Sequence, residues 1–295
     1  MPNAFCDQLE RRILGGAAPA VAGLDPRLEA LPQALLPGAP PAERILGFYR
    51  EVLPLLAPHV CVAKPNIAYF ERFGAAGYAA FEATCQLARS QGMLVLGDVK
   101  RGDIGPTAEA YADAHFPHCD AVTLHPLLGT DSVQPFLAWC RDRGRGVFVL
   151  VRTSNPSAKE FQDLRTEGGP LCDVLARAVQ RWGEDLGDPR GYSPVGAVVG
   201  ATWPAELARL RTLMPRAWIL LPGVGAQGAR AEDLGPAFDA RGLGGLITQS
   251  RGLLQCFAPN DPEWRARVRQ AAQAFAAECR LASRGTSGEG CGRSP

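Results

Sequence analysis

The segment MLVLGDVKRGDIG, residues 93–105, passes from apolar residues directly into closely spaced charges. Its first five residues suit a strand that is buried on both faces. Asp98, Lys100, Arg101 and Asp103 then follow within six positions. Charge at the end of a buried strand is costly unless the groups are paired or used in chemistry. The segment therefore predicts a buried strand whose end carries a paired or functional cluster of charges.

Short apolar runs of this kind recur eight times, and helix-like segments lie between them. The runs are residues 20–24, 60–63, 93–97, 121–124, 147–151, 195–200, 217–221 and 245–249. Apolar residues recur every three to four positions, as in an amphipathic helix, in residues 41–56, 77–90, 132–144, 170–186, 204–214 and 262–282. Alternating strands and helices are typical of a parallel sheet.

Eight such units predict an α/β fold of the (β/α)8 TIM-barrel type, formed as a single domain. A length of 295 residues is compatible with one such barrel, since these domains run to about 250 residues or more. A doubly wound open sheet is the competing fold. We expect the barrel to occupy residues 1–282 and the polar, glycine-rich segment 283–295 to form a flexible tail.

The composition is that of a globular protein without a strong charge bias. Apolar residues make up 46% and charged residues 21% of the chain, and the net charge of +1 gives no overall attraction to nucleic acid or to an anionic membrane. The nine cysteines form no C-x-x-C pair, which predicts free thiols, no zinc site and a reducing compartment. No signal peptide or membrane span is evident, so we expect a cytoplasmic protein.

Polar residues follow the predicted strands at the ends that face the opening of a barrel, where such enzymes carry out their chemistry. In strand order these residues are Asp25; Lys64; Asp98, Lys100 and Asp103; His125; Thr153 and Ser154; the loop PGVGAQG, 222–228; and Thr248, Gln249 and Arg251. The strand interiors remain apolar. This distribution predicts a functional site at one rim.

Each of these residues also has a purely structural interpretation. Asp25 precedes Pro26 and is a typical turn former. Lys64 can extend from a strand end to water, and residues 98–103 can form a solvated loop with surface ion pairs. His125 fits a structural role, and glycine-rich turns are common. Their coincidence at one rim favours the functional interpretation.

The glycine-rich loop is suited to binding an anion. Gly223, Gly225 and Gly228 leave backbone N–H groups accessible, and Gln227 adds an amide donor. Arg251, directly after the eighth strand, can bind the same anion with two parallel hydrogen bonds. Loops after strands seven and eight often hold a phosphate in barrels.

These residues resemble the orotidine 5'-phosphate decarboxylase family. The resemblance rests on the D-x-K-x-x-D pattern of Asp98, Lys100 and Asp103, on Lys64 one strand earlier and on PGVGAQG. The segments KPNIAYFERFGAAG (64–77), GDVKRGDIGPTAEAYA (97–112) and VRTSNPSAKEFQDL (151–164) are similar to the longer bacterial subgroup. The resemblance spans roughly residues 15–280. It implies decarboxylation of orotidine 5'-monophosphate to UMP and CO2, the last step of pyrimidine synthesis, by a homodimer with shared sites.

The resemblance also implies a role for each site residue. Lys100 would protonate C6 of the pyrimidine, Asp98 would lie beside the substrate carboxylate, and Lys64 would bind a ribose hydroxyl and orient Asp98. Further roles would fall to Asp103 and Thr107, contributed across the dimer interface; Asp25 at the ribose; Ser154 at the base; Gln227 and Arg251 at the phosphate; and Gly225 and Gly252 in substrate binding. Asn66 and His125 match positions near the pocket without a defined role, and residues 155–194 are harder to align.

The chemistry accounts for these residue types. Loss of CO2 leaves electron density at C6 with no neighbouring carbonyl to delocalise it, and the sequence contains no evident thiamine, pyridoxal phosphate or metal site. We therefore expect no cofactor and no metal, with a fixed ammonium group stabilising the developing carbanion and then protonating it.

Two other functions remain open from the sequence. One is a decarboxylase of the same structural group that acts on a 3-keto sugar-acid phosphate and uses Mg2+. Ser154, suited to a pyrimidine edge, argues against it. The other is a nucleotide-binding barrel without turnover, which the complete set of two lysines and two aspartates disfavours.

Overall fold

Eight parallel strands form a closed barrel in the computed structural model, which describes residues 4–223 and 231–284. The barrel strands are β1 Ala20–Leu24, β2 Val62–Pro65, β3 Leu94–Arg101, β4 Ala121–Leu124, β5 Gly146–Arg152, β6 Ser193–Val199, β7 Ala217–Pro222 and β8 Gly245–Gln249. Each strand pairs with its sequence neighbours, and β8 pairs with β1. The predicted (β/α)8 barrel is confirmed, and the alternative of an open doubly wound sheet is wrong.

The strand β3 extends four residues beyond the predicted run 93–97. Its pairing with β4 is irregular after Gly97 and resumes at Arg101, which lies opposite Leu124. Asp98 and Lys100 are consequently strand residues in an irregular section, rather than residues of the following loop.

The helices surround the barrel. They are α1 Phe5–Leu14, α2 Pro41–Leu56, α3 Ala68–Glu71, α4 Gly74–Ser90, α5 Gly105–His115, α6 Thr130–Arg143, α7 Lys159–Gln162, α8 Leu171–Trp182, α9 Pro204–Leu213, α10 Arg251–Leu254 and α11 Trp264–Ser283. Residues 28–30, 156–158 and 231–237 form 3-10 turns, and residues 165–170 form a short antiparallel hairpin. The helix α11 ends at Ser283, and residues 285–295 of the predicted tail lie outside the described residues.

Alternate residues of the strands face two separate apolar layers. In β1, Val21 points into the barrel interior, whereas Ala20 and Ala22 pack against the surrounding helices. The interior layer also receives the apolar face of α1, and Phe5 meets Phe148 of β5 edge to face, with ring centroids 6.0 Å apart. Because α1 covers the amino-terminal end of the barrel, the carboxyl-terminal end remains as the open one.

The described residues include no helix that is long and apolar enough to cross a membrane. All eight of their cysteines are free thiols, and each except Cys256 is buried. Burial raises the pKa of the Cys61 thiol to about 12, so this side chain stays neutral and contributes to the core as a small apolar group.

Candidate active site

Two neighbouring strands bring Lys64 and Asp98 together at the open end of the barrel. Lys64 Nζ lies 2.7 Å from Asp98 Oδ2, and both side chains are buried. The backbone carbonyl of Asp98 accepts a hydrogen bond from the N–H of Ile67 at 3.3 Å, which ties the end of β2 to the irregular section of β3. Asp98 is therefore held both through its side-chain carboxylate and through its backbone carbonyl.

Lys100 binds the other oxygen of the same carboxylate. Its Nζ forms an ion pair and hydrogen bond with Asp98 Oδ1. The Lys100 side chain is 47% exposed, in contrast to the buried Lys64. One carboxylate thus lies between two ammonium groups, of which one is enclosed by protein and the other is accessible from the open end.

Lys64, Asp98 and Lys100 form a charged array, the Lys64–Asp98–Lys100 array, in which opposite charges stabilise one another. Burial by itself raises the pKa of Asp98, but Lys64 and Lys100 lower it more, and the net pKa lies well below the ordinary value. Burial lowers the pKa of Lys64, but Asp98 and Asp25 raise it, and the net pKa lies above the ordinary value. Asp98 and Lys64 are both charged at neutral pH.

A cavity of about 240 Å3 opens beside this array. It is lined by Asp25, Arg27, Lys64, Asn66, Tyr69, Asp98, Pro222, Gly223, Thr248, Gln249, Ser250, Arg251 and Gln255. Three buried oxygens of this lining, Asp25 Oδ1, Thr248 Oγ1 and Ser250 Oγ, have no hydrogen-bond partner among the described residues. Buried polar atoms are normally paired, so these atoms suit a polar ligand that enters the cavity.

Two of the predicted anion-binding residues, Gly223 and Arg251, line this cavity. Gly223 follows β7, and Arg251 opens the short helix α10 after β8. Gly252 comes next, where an added Cβ would lie 2.6 Å from the side chain of Gln249. Gln227 and Gly225, which were also predicted to bind substrate, lie outside the described residues.

Ser154 lies outside this first cavity. It follows β5 and lines a second cavity of about 480 Å3 together with Pro156, Lys159, Thr202 and Trp203. Among the predicted substrate-binding residues, Asp25 and Arg251 therefore line the first cavity and Ser154 lines the second.

Asp103 and Thr107 are not part of the Lys64–Asp98–Lys100 array within one chain. Asp103 Oδ1 accepts a hydrogen bond from the N–H of Ile104 at 2.8 Å, and the described part of the chain offers it no contact with Lys64 or Lys100. Thr107 is exposed on α5. Within one chain, neither residue joins the Lys64–Asp98–Lys100 array.

The two residues without a predicted role have local contacts. Asn66 lines the first cavity, and its Oδ1 accepts a hydrogen bond from the N–H of Ala68 at 3.3 Å. The exposed His125 accepts a hydrogen bond at Nδ1 from the N–H of Leu127 at 3.4 Å. His125 thus has the structural surroundings of a loop residue.

Sequence reasoning missed Thr123, which donates a hydrogen bond from Oγ1 to Asp98 Oδ1 at 3.1 Å. A polar residue near the end of the apolar run AVTL was the available signal. Because its partners lie on β3, about 25 positions earlier, the pairing could not be read from local sequence.

Sequence reasoning also missed Arg152, a fully buried guanidinium at the end of β5. Its Nε lies 2.7 Å from Glu206 Oε2, and its Nη1 lies 3.0 Å from Asp163 Oδ1. With Cys172, these two carboxylates are the only group of three potential metal ligands in the described residues. The guanidinium between them already supplies the positive charge, so we assign no metal there.

Comparisons with known proteins agree with this geometry. A family model described as "Orotidine 5'-phosphate decarboxylase / HUMPS family" matches residues 43–259. The orotidine 5'-phosphate decarboxylase of Rhodopirellula baltica is 38% identical over 289 residues, covering 90% of this chain and 96% of that protein. The corresponding protein of Deinococcus radiodurans is 42% identical over 267 residues, covering 86% and 90%.

A solved structure, that of Leishmania donovani OMP decarboxylase, superimposes on the barrel with a TM-score of 0.78. The two sequences are 32% identical, and the match covers 95% of this chain and 98% of that chain. The likeness therefore extends over the whole barrel and is not confined to the charged segment.

Proposed function

The chain belongs to the orotidine 5'-phosphate decarboxylase / HUMPS family, and we propose that the Lys64–Asp98–Lys100 array is where it converts orotidine 5'-monophosphate to UMP and CO2. This reaction completes pyrimidine biosynthesis. The observation that carries the assignment of the site is one buried carboxylate between two ammonium groups at the open end of the barrel.

Lys100 stabilises the developing carbanion and then protonates C6. Departure of CO2 leaves an electron pair in the plane of the pyrimidine ring, where the ring carbonyls do not delocalise it. A preorganised ammonium group favours this charge more in the transition state than in the ground state. The exposure of Lys100 towards the open end, while Lys64 is enclosed, supports Lys100 as the proton donor.

Asp98 and Lys64 keep the array in place. Asp98 stays ionised because two ammonium groups lower its pKa, and it lies beside the substrate carboxylate. Lys64 holds Asp98 from the enclosed side and binds a ribose hydroxyl. The short Lys64–Asp98 contact and the burial of both side chains support this division of roles.

The remaining substrate groups fit the lining of the two cavities. Asp25 binds the ribose, since its Oδ1, which has no hydrogen-bond partner among the described residues, belongs to the lining of the first cavity with Lys64. Arg251 and Gln227 hold the phosphate, Gly225 and Gly252 contribute to substrate binding, and the position of Arg251 at the cavity supports this side for the anion. Ser154 binds the pyrimidine edge.

The active form is a homodimer in which Asp103 and Thr107 complete the partner's site. The isolation of Asp103 from the array within one chain supports this arrangement. Three apolar side chains that follow β3 and β4, Ile104, Leu127 and Leu128, are more than half exposed, and exposed apolar surface is typical of protein interfaces. A second copy of the chain would cover them.

The reaction takes place in the cytoplasm and without a cofactor. The free thiols of the described residues suit a reducing compartment. The two ammonium groups at the array provide the electrostatic stabilisation for which other decarboxylases use a cofactor.

Turnover of orotidine 5'-monophosphate, followed by the ultraviolet spectrum as UMP forms, tests this function. We expect Lys100→Ala to lower kcat/KM by about 10⁴-fold, because both charge stabilisation and proton donation are lost. Full activity of the alanine variant would refute the role of Lys100. Treatment with EDTA should leave activity unchanged, whereas the Mg2+-dependent sugar-acid decarboxylase would lose it.

A further inference from the structure

The backbone of Lys100 has an uncommon conformation. Its φ angle is +44°, in the left-handed region that residues other than glycine seldom occupy. The residue lies in the irregular section of β3, where regular pairing with β4 is interrupted. Some interaction must hold this conformation, since strained backbone persists only where its surroundings determine it.

The hydroxyl of Thr123 on β4 supplies that interaction. Its Oγ1 accepts hydrogen bonds from the backbone N–H of Val99 at 3.0 Å and of Lys100 at 2.9 Å. These are N–H groups in the section where β3 lacks regular pairing with β4. Thr123 is 1% exposed, so water does not compete for these bonds.

The same hydroxyl also reaches the other end of Lys100 through Asp98. Thr123 Oγ1 donates to Asp98 Oδ1 at 3.1 Å, and Asp98 Oδ1 is the oxygen that binds Lys100 Nζ. The hydroxyl accepts two hydrogen bonds and donates one, which uses all of its hydrogen-bonding capacity. One side chain thus fixes the backbone of Lys100 directly and its ammonium group through one carboxylate oxygen.

We propose that Thr123 is a positioning residue for the decarboxylation, which sets the direction of the Lys100 ammonium group without touching the substrate. The proposal rests on the proposed function of the array. A merely structural Thr123 would join β3 to β4, and its loss would weaken stability and ligand binding together. A positioning Thr123 affects the chemical step while ligand binding is kept.

The test compares Thr123→Val, which removes the hydroxyl at nearly constant shape, with Thr123→Ser, which keeps it. For each, kcat, KM, UMP affinity and thermal midpoint are measured on the full chain. We expect Thr123→Val to lower kcat about a hundredfold, as a misplaced catalytic group does, with UMP affinity close to that of the wild type. Thr123→Ser should recover most of kcat.

A second comparison separates positioning from stability. In a Lys100→Ala background, adding Thr123→Val should lower kcat by a much smaller factor than in the wild type, because the ammonium group that Thr123 positions is already absent. If Thr123→Val does not fold, Thr123→Ala takes its place with the same expected direction.

Equal kcat in the Val or Ala variant and the Ser variant would overturn the role of Thr123, as would parallel losses of kcat and UMP affinity. A wild-type protein that leaves orotidine 5'-monophosphate unchanged would instead refute the proposed function of the array.

Discussion

Ser154 packs directly on Gly200: a Cβ added at Gly200 would lie 2.8 Å from the Cα and 2.9 Å from the N of Ser154. Real Cβ atoms do not approach backbone atoms so closely, so the loop after β5 depends on a residue without a side chain at the end of β6. Gly200 also donates a backbone hydrogen bond to the carbonyl of Arg152 at 2.7 Å. The position of Ser154 is thereby tied to the neighbouring strand.

We expect Gly200→Ala to displace Ser154 and weaken binding of the pyrimidine. UMP affinity should fall about tenfold, as when one good hydrogen bond is lost, while the affinity for ribose 5-phosphate stays the same. Calorimetric titration with both ligands checks this. Gly235→Ala is the matched control, because a Cβ there meets no atom within 4 Å. Equal weakening of both ligands would contradict a specific effect on Ser154.

The buried Arg152 depends on two carboxylates from later segments. Its guanidinium also lies over the Trp203 ring, 4.4 Å from the centroid, and the Trp203 indole donates to the carbonyl of Thr153 at 3.1 Å. The cluster therefore joins the loop after β5 to the start of α9. We expect Glu206→Ala to lower the free energy of unfolding by about 2 kcal/mol, since a buried charge loses its shorter ion pair.

Urea denaturation measures this change, and Glu51→Ala provides the control. Glu51 pairs with Arg265 at 2.9 Å, but both side chains are more than 40% exposed. Exposed pairs contribute about 0–1 kcal/mol, so this variant should be close to the wild type. Equal destabilisation by the two variants would show that burial of Arg152 does not determine the effect.

The barrel could be predicted from the sequence because strands buried on both faces leave uninterrupted apolar runs. Two of the longer helices, α1 and α5, were missed, as were the four-residue helices α3, α7 and α10. The helix α5 begins with Gly105 and Pro106 and buries only Ala108, Ala112 and His115, so it has almost no apolar periodicity. The helix α1 buries Phe5, Cys6, Leu9 and Ile13, which recur at helical spacing, but it precedes the first strand and lies outside the alternation of strands and helices.

The site could be predicted only in part. Residues at strand ends could be grouped because parallel strands meet at one rim, and in the structure Lys64 and Lys100 both contact Asp98. The partners of Arg152 could not be predicted, since Glu206 is 54 positions away and lies on a helix whose exposed face gives no signal.

The loss of folding stability at acidic pH should depend on His115. Burial, with a smaller contribution from Arg101, lowers the pKa of His115 from 6.5 to about 4. The Nε2 atom accepts a hydrogen bond from Arg101 Nε at 3.1 Å, which requires the neutral ring. The folded state therefore binds fewer protons than the unfolded state, and stability is lost as the pH falls from 6.5 to about 4.

This loss amounts to about 3 kcal/mol. His115→Gln keeps a side-chain acceptor for Arg101 but does not titrate, so its unfolding free energy should fall less steeply over the same pH range. The two proteins are compared by urea denaturation at several pH values. Their difference in unfolding free energy at pH 8 is the reference. If the unfolding free energy of the variant falls as steeply with acid as that of the wild type, groups other than His115 cause the loss.

Shared sites between two chains can be tested by mixing inactive variants. Asp103→Ala removes the carboxylate that we assign to the partner's site, and Lys100→Ala removes the proton donor of the chain's own site. After exchange of subunits in an equal mixture, about half of the dimers are hybrids, and each hybrid contains one site with both residues intact. We expect about a quarter of wild-type activity to return, as measured by UMP formation.

Either variant exchanged with itself should stay inactive. If the mixture also stays inactive after mass spectrometry has verified the hybrids, Asp103 acts within its own chain and the arrangement of Asp103 across the interface is wrong.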